Sequence, residues 1–155
     1  MLLIDEVEML RQVPILARIK PAKLKLLAFA SDRMTYRQGQ DLCRQGDVGD
    51  AVYVILSGTA DIIVSSPAGE IKVADVGENA IVGEIAVLCD VSRTATVRAT
   101  SALEVLRIKK EHFLELVNDF PQVAVEIMRM LAARLSHATA ELTAARALNP
   151  PSTAQ

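Results

Sequence analysis

Tryptophan is absent from this 155-residue chain, and three Phe and two Tyr are its only other aromatics. Single-stranded nucleic acid is gripped on stacked aromatics, so a platform of that kind is excluded. Positive charge is not in excess either: 17 Lys and Arg stand against 19 Asp and Glu, for a formal net charge of −2. Duplex binding draws its affinity from a concentrated basic face, so nucleic acid is not expected as a partner. The cysteines are Cys43 and Cys89, and the histidines His112 and His137. They are too few and too scattered for a disulfide framework, a zinc site or the strand-borne ligand set of a cupin-type enzyme. No apolar run approaches the ~18 residues of a membrane span. Acid appears at Asp5 with no basic region before it, which argues against a secretory leader. These absences point to a soluble cytoplasmic protein without a metal or a membrane partner. What the chain holds in quantity is apolar residues, 51% of it, enough for one domain that folds without staples.

The pattern of those residues divides the chain into helical ends around a β-rich middle. Ile4, Val7 and Leu10 keep helical spacing until Pro14 breaks the segment, and Pro21 suits the first turn of a second helix carrying Leu24, Leu27 and Ala28. From residue 31 to 109 the period falls to two. Strands are expected at 52–56, 60–64, 71–76, 94–97 and 103–108, with turns at Gly39, Gly46-Asp47, Gly49-Asp50, Ser57-Gly58 and Gly77. Short strands at such spacing, with no alternation of strand and helix, imply a small antiparallel sandwich or barrel. Beyond Lys110 the pattern is helical again, with one helix to about Asn118 and a longer one from Pro121 into the 140s. Leu131, Leu135, Ala138 and Leu142 form a narrow apolar seam on it. That seam serves the intramolecular core first and a homodimer interface second. Residues 1–148 thus read as a single domain, with helices over 1–30, strands over 31–109 and helices over 110–148, and 149–155 as a disordered tail.

One stretch breaks the strand pattern. Gly83 permits a sharp turn, and Glu84 to Leu88 is long enough for a turn or two of helix whose first N–H groups lack acceptors. Arg93 then opens a strand in which Arg93, Ala95, Val97 and Ala99 share the apolar face. An inward guanidinium requires a partner, because an unpaired buried charge costs several kcal/mol. A phosphate matches its fork. Glu84 can supply the countercharge itself or accept from a sugar hydroxyl.

Gly83-Glu84-Ile85-Ala86 followed by Arg93-Thr94-Ala95 resembles the phosphate-binding cassette of cyclic-nucleotide-binding domains. That family includes the sensor domain of the catabolite activator protein and the regulatory subunits of cAMP-dependent protein kinase. The resemblance covers roughly residues 14 to 145. It departs from the commonest pattern at Val82, where Phe is frequent, at Ser92, where Pro is frequent, and in the Cys89-Asp90 loop. It implies a mainly β fold, an antiparallel, jelly-roll-like β-roll with N-terminal helices and two C-terminal helices, holding cAMP or cGMP inside the roll with no other cofactor. Within residues 82–97, Arg93 is expected to pair with the cyclic phosphate. N–H groups of Ile85, Ala86 and Ala95 add hydrogen bonds, and Glu84 accepts from the ribose 2′-hydroxyl. Ile62, Val73 and Val76 sandwich the purine, and the last helix lids it with Leu135, Ala138 and Thr139. Thr94 either bonds the 2-amino group of a guanine or is an ordinary strand threonine.

The expected function is a non-enzymatic sensor that binds cAMP, cGMP or both and repositions its C-terminal helices toward an unidentified effector protein. Transcription factors of this family append a DNA-binding unit after the long helix. The chain ends within ten residues of that helix, so a stand-alone sensor is expected. The alternatives are an interaction module that keeps the fold without a ligand, and the sensor portion of a larger transcription factor.

Overall fold

Strand β3 (Ala51–Ser57) is buried at every position from Ala51 to Leu56, because both of its faces are covered. Val52, Val54 and Leu56 belong to one apolar cluster, shared with Leu10, Leu16 and Leu24 of the N-terminal segment and with Phe113, Leu116, Val123 and Ile127 of the C-terminal helices. Tyr53 and Ile55 turn to a second cluster inside the roll, with Leu42, Val82, Val97 and Val105. Alternation along one strand therefore separates the helix-packed core from the roll interior.

The structure, a computed structural model, describes residues 3–148. Helix α1 (Leu3–Arg11), a single 3-10 turn (Pro14–Leu16) and α2 (Pro21–Ala30) come first. Then follow β1 (Asp32–Tyr36), β2 (Asp41–Cys43), β3, β4 (Ala60–Ser66), β5 (Gly69–Val76) and β6 (Ile81–Val82). A short helix α3 (Glu84–Leu88), β7 (Thr96–Ala99) and β8 (Leu103–Lys109) complete the roll, and α4 (Lys110–Asp119) and α5 (Pro121–Leu148) close the fold. Two four-stranded antiparallel sheets face each other, ordered β1-β8-β3-β6 and β2-β7-β4-β5. The fold is the mainly β roll with flanking helices that the sequence implied. The tail expected over 149–155 lies outside the described residues. Among the described residues no helix is long and apolar enough to cross a membrane.

Two local expectations are corrected. Strand β7 begins at Thr96 rather than Thr94, because the turn at Gly46-Asp47 takes the main chain of Arg93: Gly46 N donates to Arg93 O at 2.8 Å and Arg93 N to Asp47 O at 2.7 Å. Three further strands, β1, β2 and β6, occupy segments where no apolar alternation marked one.

Candidate functional site

Gly83 caps α3 with φ +88°, a left-handed conformation that L side chains rarely adopt. Space forbids a side chain as well, since a Cβ there would lie 2.4 Å from Arg93 Nη1 and 3.2 Å from Ala51 O. Gly49 plays the companion part: a Cβ on it would fall 2.4 Å from that of Ala86, so the loop before β3 packs directly on α3.

Arg93 fills the space that Gly83 leaves. It is 4% exposed, and its guanidinium donates to Gly83 O at 3.1 Å and to Ala51 O at 2.7 Å. The Tyr53 ring centroid lies 5.5 Å from its Cζ, and Asp50 Oδ1 lies 3.8 Å from Nη2. Two carbonyls and a π face thus hold the fork, with N–H groups still uncommitted. Asp50 also binds Arg107 of β8 at 3.1 Å, and Arg107 reaches Asp32 of β1 at 3.5 Å.

A cavity of about 550 Å³ opens beside this arginine, within the size range of small-ligand sites. Gly83, Glu84, Ile85 and Ala86 line it on one side and Arg93, Thr94 and Ala95 on another. Ile62 of β4 and Val73 and Val76 of β5 form an apolar wall with Val82 and Val97. Cys43 of β2 also lines it, its thiol pKa pushed up by burial against the opposing pull of Arg93.

The remaining wall is α5, and here the structure rearranges the expected lid. Ala138 lines the cavity, but Leu135 and Thr139 do not; their places are taken by Ala133, Arg134, His137 and Glu141. Leu135 is 68% exposed. The phase of the helix decides this: Arg134 donates to Glu84 Oε1 and, at 3.1 Å, to Ile81 O, and residues at i, i+3/i+4 and i+7 from it share its face. Glu84, 2% exposed, therefore has Arg134 as its counterion and not Arg93. His137 Nε2 lies 3.1 Å from Glu141 Oε1 along the same face.

Arg134, Glu141 and Tyr53 were not singled out by the sequence; His137 was weighed there only as a metal ligand and Asp50 only as a turn residue. The polar stripe 134-137-141 was legible as helical spacing, but nothing in the order of residues turned it toward the roll.

The profile of the cyclic nucleotide-binding domain family matches residues 33–120. The chain belongs to that family. Among solved structures, this cyclic nucleotide-binding domain is 30% identical to the catabolite activator protein of Thermus thermophilus, with a TM-score of 0.73 over 84% of this chain and 62% of that one. The regulatory domain of Toxoplasma gondii protein kinase A, solved with cAMP, shares the fold at a TM-score of 0.74 and 23% identity, over 83% of this chain and 49% of that one. In sequence, the domain is 29% identical to lysophospholipase nte1 of Neurospora crassa over 82% of its own length, and it spans 8% of that enzyme. The fold thus recurs in regulatory proteins and within a large enzyme.

Proposed function

We propose that the domain binds a cyclic nucleotide, cAMP or cGMP, in the cavity between the roll and α5, and that it is a sensor without catalytic activity of its own. The observation that carries this reading is Arg93, a buried guanidinium with N–H groups to spare at the edge of a largely apolar cavity. A small anion attached to an apolar body matches both features. Arg93 receives the cyclic phosphate, assisted by N–H groups of Ile85, Ala86 and Ala95. Ile62, Val73 and Val76 cover the base. Glu84 accepts from the ribose 2′-hydroxyl with the carboxylate that also holds Arg134, so ribose binding and the seating of α5 act on the same group. Occupancy is passed through α5 to a partner protein by the differential affinity of the ligand for two helix positions.

Thermal unfolding with and without millimolar cAMP and cGMP tests this. At about 100 times the dissociation constant a specific ligand adds ~2.7 kcal/mol, a plain rise in Tm. No shift with either nucleotide would favour a ligand-independent interaction module.

A homodimer through α5 is a further reading with its own observation. Met128, Leu135 and Leu142 are exposed at seven-residue intervals, with Leu131, Ala138 and Ala145 between them. Sedimentation equilibrium checks it.

A further inference from the structure

Between Glu8 and Asp32 the chain has no acid and carries five cations, Arg11, Arg18, Lys20, Lys23 and Lys25, in a protein whose formal net charge is −2. Arg11 is paired with Glu8 and Lys23 with Asp119. Arg18, Lys20 and Lys25 are exposed and hold no carboxylate among the described residues. Lys20 is the N-cap of α2, and the first turn of that helix has no acid. Cations at this end oppose the helix dipole, so the stability of the helix does not account for them.

The same helix is apolar on two faces. Leu24, Leu27 and Ala28 are buried in the core beside Val123 and Ile127 of α5, which holds α2 in place. Ala22, Leu26 and Phe29 recur at helical spacing on the opposite face, with Leu26 64% and Phe29 79% exposed. Lys25 stands one turn before Phe29 on that face. A helix apolar all round is ordinarily covered all round.

We propose that α2 docks on an anionic lipid surface, with Leu26 and Phe29 entering the headgroup layer and Arg18, Lys20 and Lys25 meeting the lipid phosphates. The proposal is independent of the cyclic-nucleotide reading. Charge selects the occupant: a second copy of the chain, presenting the same face, would set cations against cations. The projection of Phe29 selects between the anionic partners that remain. A deformable layer closes round a projecting ring, whereas a protein partner must carry a pocket for it. Docking of this kind needs no spanning helix. The expectation of no membrane partner, drawn from the lack of a long apolar run and of a leader, does not bear on it.

Flotation with vesicles of phosphatidylcholine alone, and of phosphatidylcholine with about one-third phosphatidylserine, tests the proposal. Wild type floats with the anionic vesicles and hardly with the neutral ones, and raising the salt from about 0.1 M to about 0.5 M weakens its binding. Arg18→Gln and Lys25→Gln each lower the affinity for anionic vesicles roughly fivefold, and Phe29→Ser lowers it roughly tenfold. All three positions are exposed, so unchanged Tm values show that each variant is folded. Equal binding of wild type to both vesicles, or wild-type affinity in all three variants, overturns the proposal. If wild type floats with neither vesicle, the proposal falls and an acidic protein surface becomes the cover of this face.

Discussion

Arg93 and Arg134 both line the cavity, yet the fold treats them differently. Arg93 is sealed in, with main-chain carbonyls of β3 and of the α3 cap as acceptors and a tyrosine ring beside it. Main-chain acceptors do not move without the sheet, so its geometry is set before any ligand arrives. Arg134 is 42% exposed on a helix whose residues from Ala132 to Leu148 are all exposed, and beyond Leu131 its bonds to Glu84 and Ile81 are the hydrogen bonds that tie α5 to the roll among the described residues. The surroundings of Arg93 are preorganised, whereas the far part of α5 rests on one ion pair and one main-chain hydrogen bond that a modest free-energy change can shift.

The sharpest way to break this contrast is Arg93→Ala. Truncating one partner of a buried charged pair costs on the order of 2–5 kcal/mol of binding, and wild-type affinity by calorimetry would remove Arg93 from the site. Gly83→Ala comes next. It forces a side chain into a left-handed backbone and against Nη1, at a cost of about 1–3 kcal/mol, so both Tm and nucleotide affinity fall together. A Glu84/Arg134 double-mutant cycle on unfolding is expected to return a smaller coupling, near ~1 kcal/mol, because Arg134 is half in water. The same cycle on nucleotide binding, compared between ribo- and 2′-deoxy ligands, sharpens the contrast: Glu84→Ala removes the preference for ribose, and Arg134→Ala leaves it in place. Smallest of all is Leu135→Ala, expected within about 0.5 kcal/mol for unfolding of the monomer, so any larger loss that depends on protein concentration reports a dimer.

The cassette was legible in the sequence because its chemistry is local. Gly83, Glu84 and Arg93 lie within eleven positions; the sharp turn follows from the glycine, and the inward arginine from its alternation with Ala95, Val97 and Ala99. Strands β3, β4, β5 and β8 announced themselves through β-branched alternation. β1, Asp-Arg-Met-Thr-Tyr, reads as polar because it lies at a sheet edge with its charges paired across the strand pair, Arg33 to Glu104 at 2.6 Å. β6 is two residues long and carries no period. Leu135 and Thr139 were misplaced for a different reason. The seam Leu131-Leu135-Ala138-Leu142 and the stripe 134-137-141 are neighbouring faces of one helix, and apolarity favoured the first. The choice was made by Glu84, fifty residues away in the chain, and pairings of that kind are decided only when the fold closes.

The length of α5 gives its weak attachment a mechanical meaning. Its 28 residues form a rod of roughly 40 Å, with Val123 and Ile127 as its buried footing and no glycine, nor any proline beyond Pro121 at its first position, to absorb a bend. About 25 Å of that rod extends past the last partly buried leucine, Leu131. Such a rod is a lever: a tilt of about 10° about Ile127 sweeps the tip through roughly 5–6 Å. A change of one ångström where Arg134 meets Glu84 is thus multiplied about threefold at Leu148.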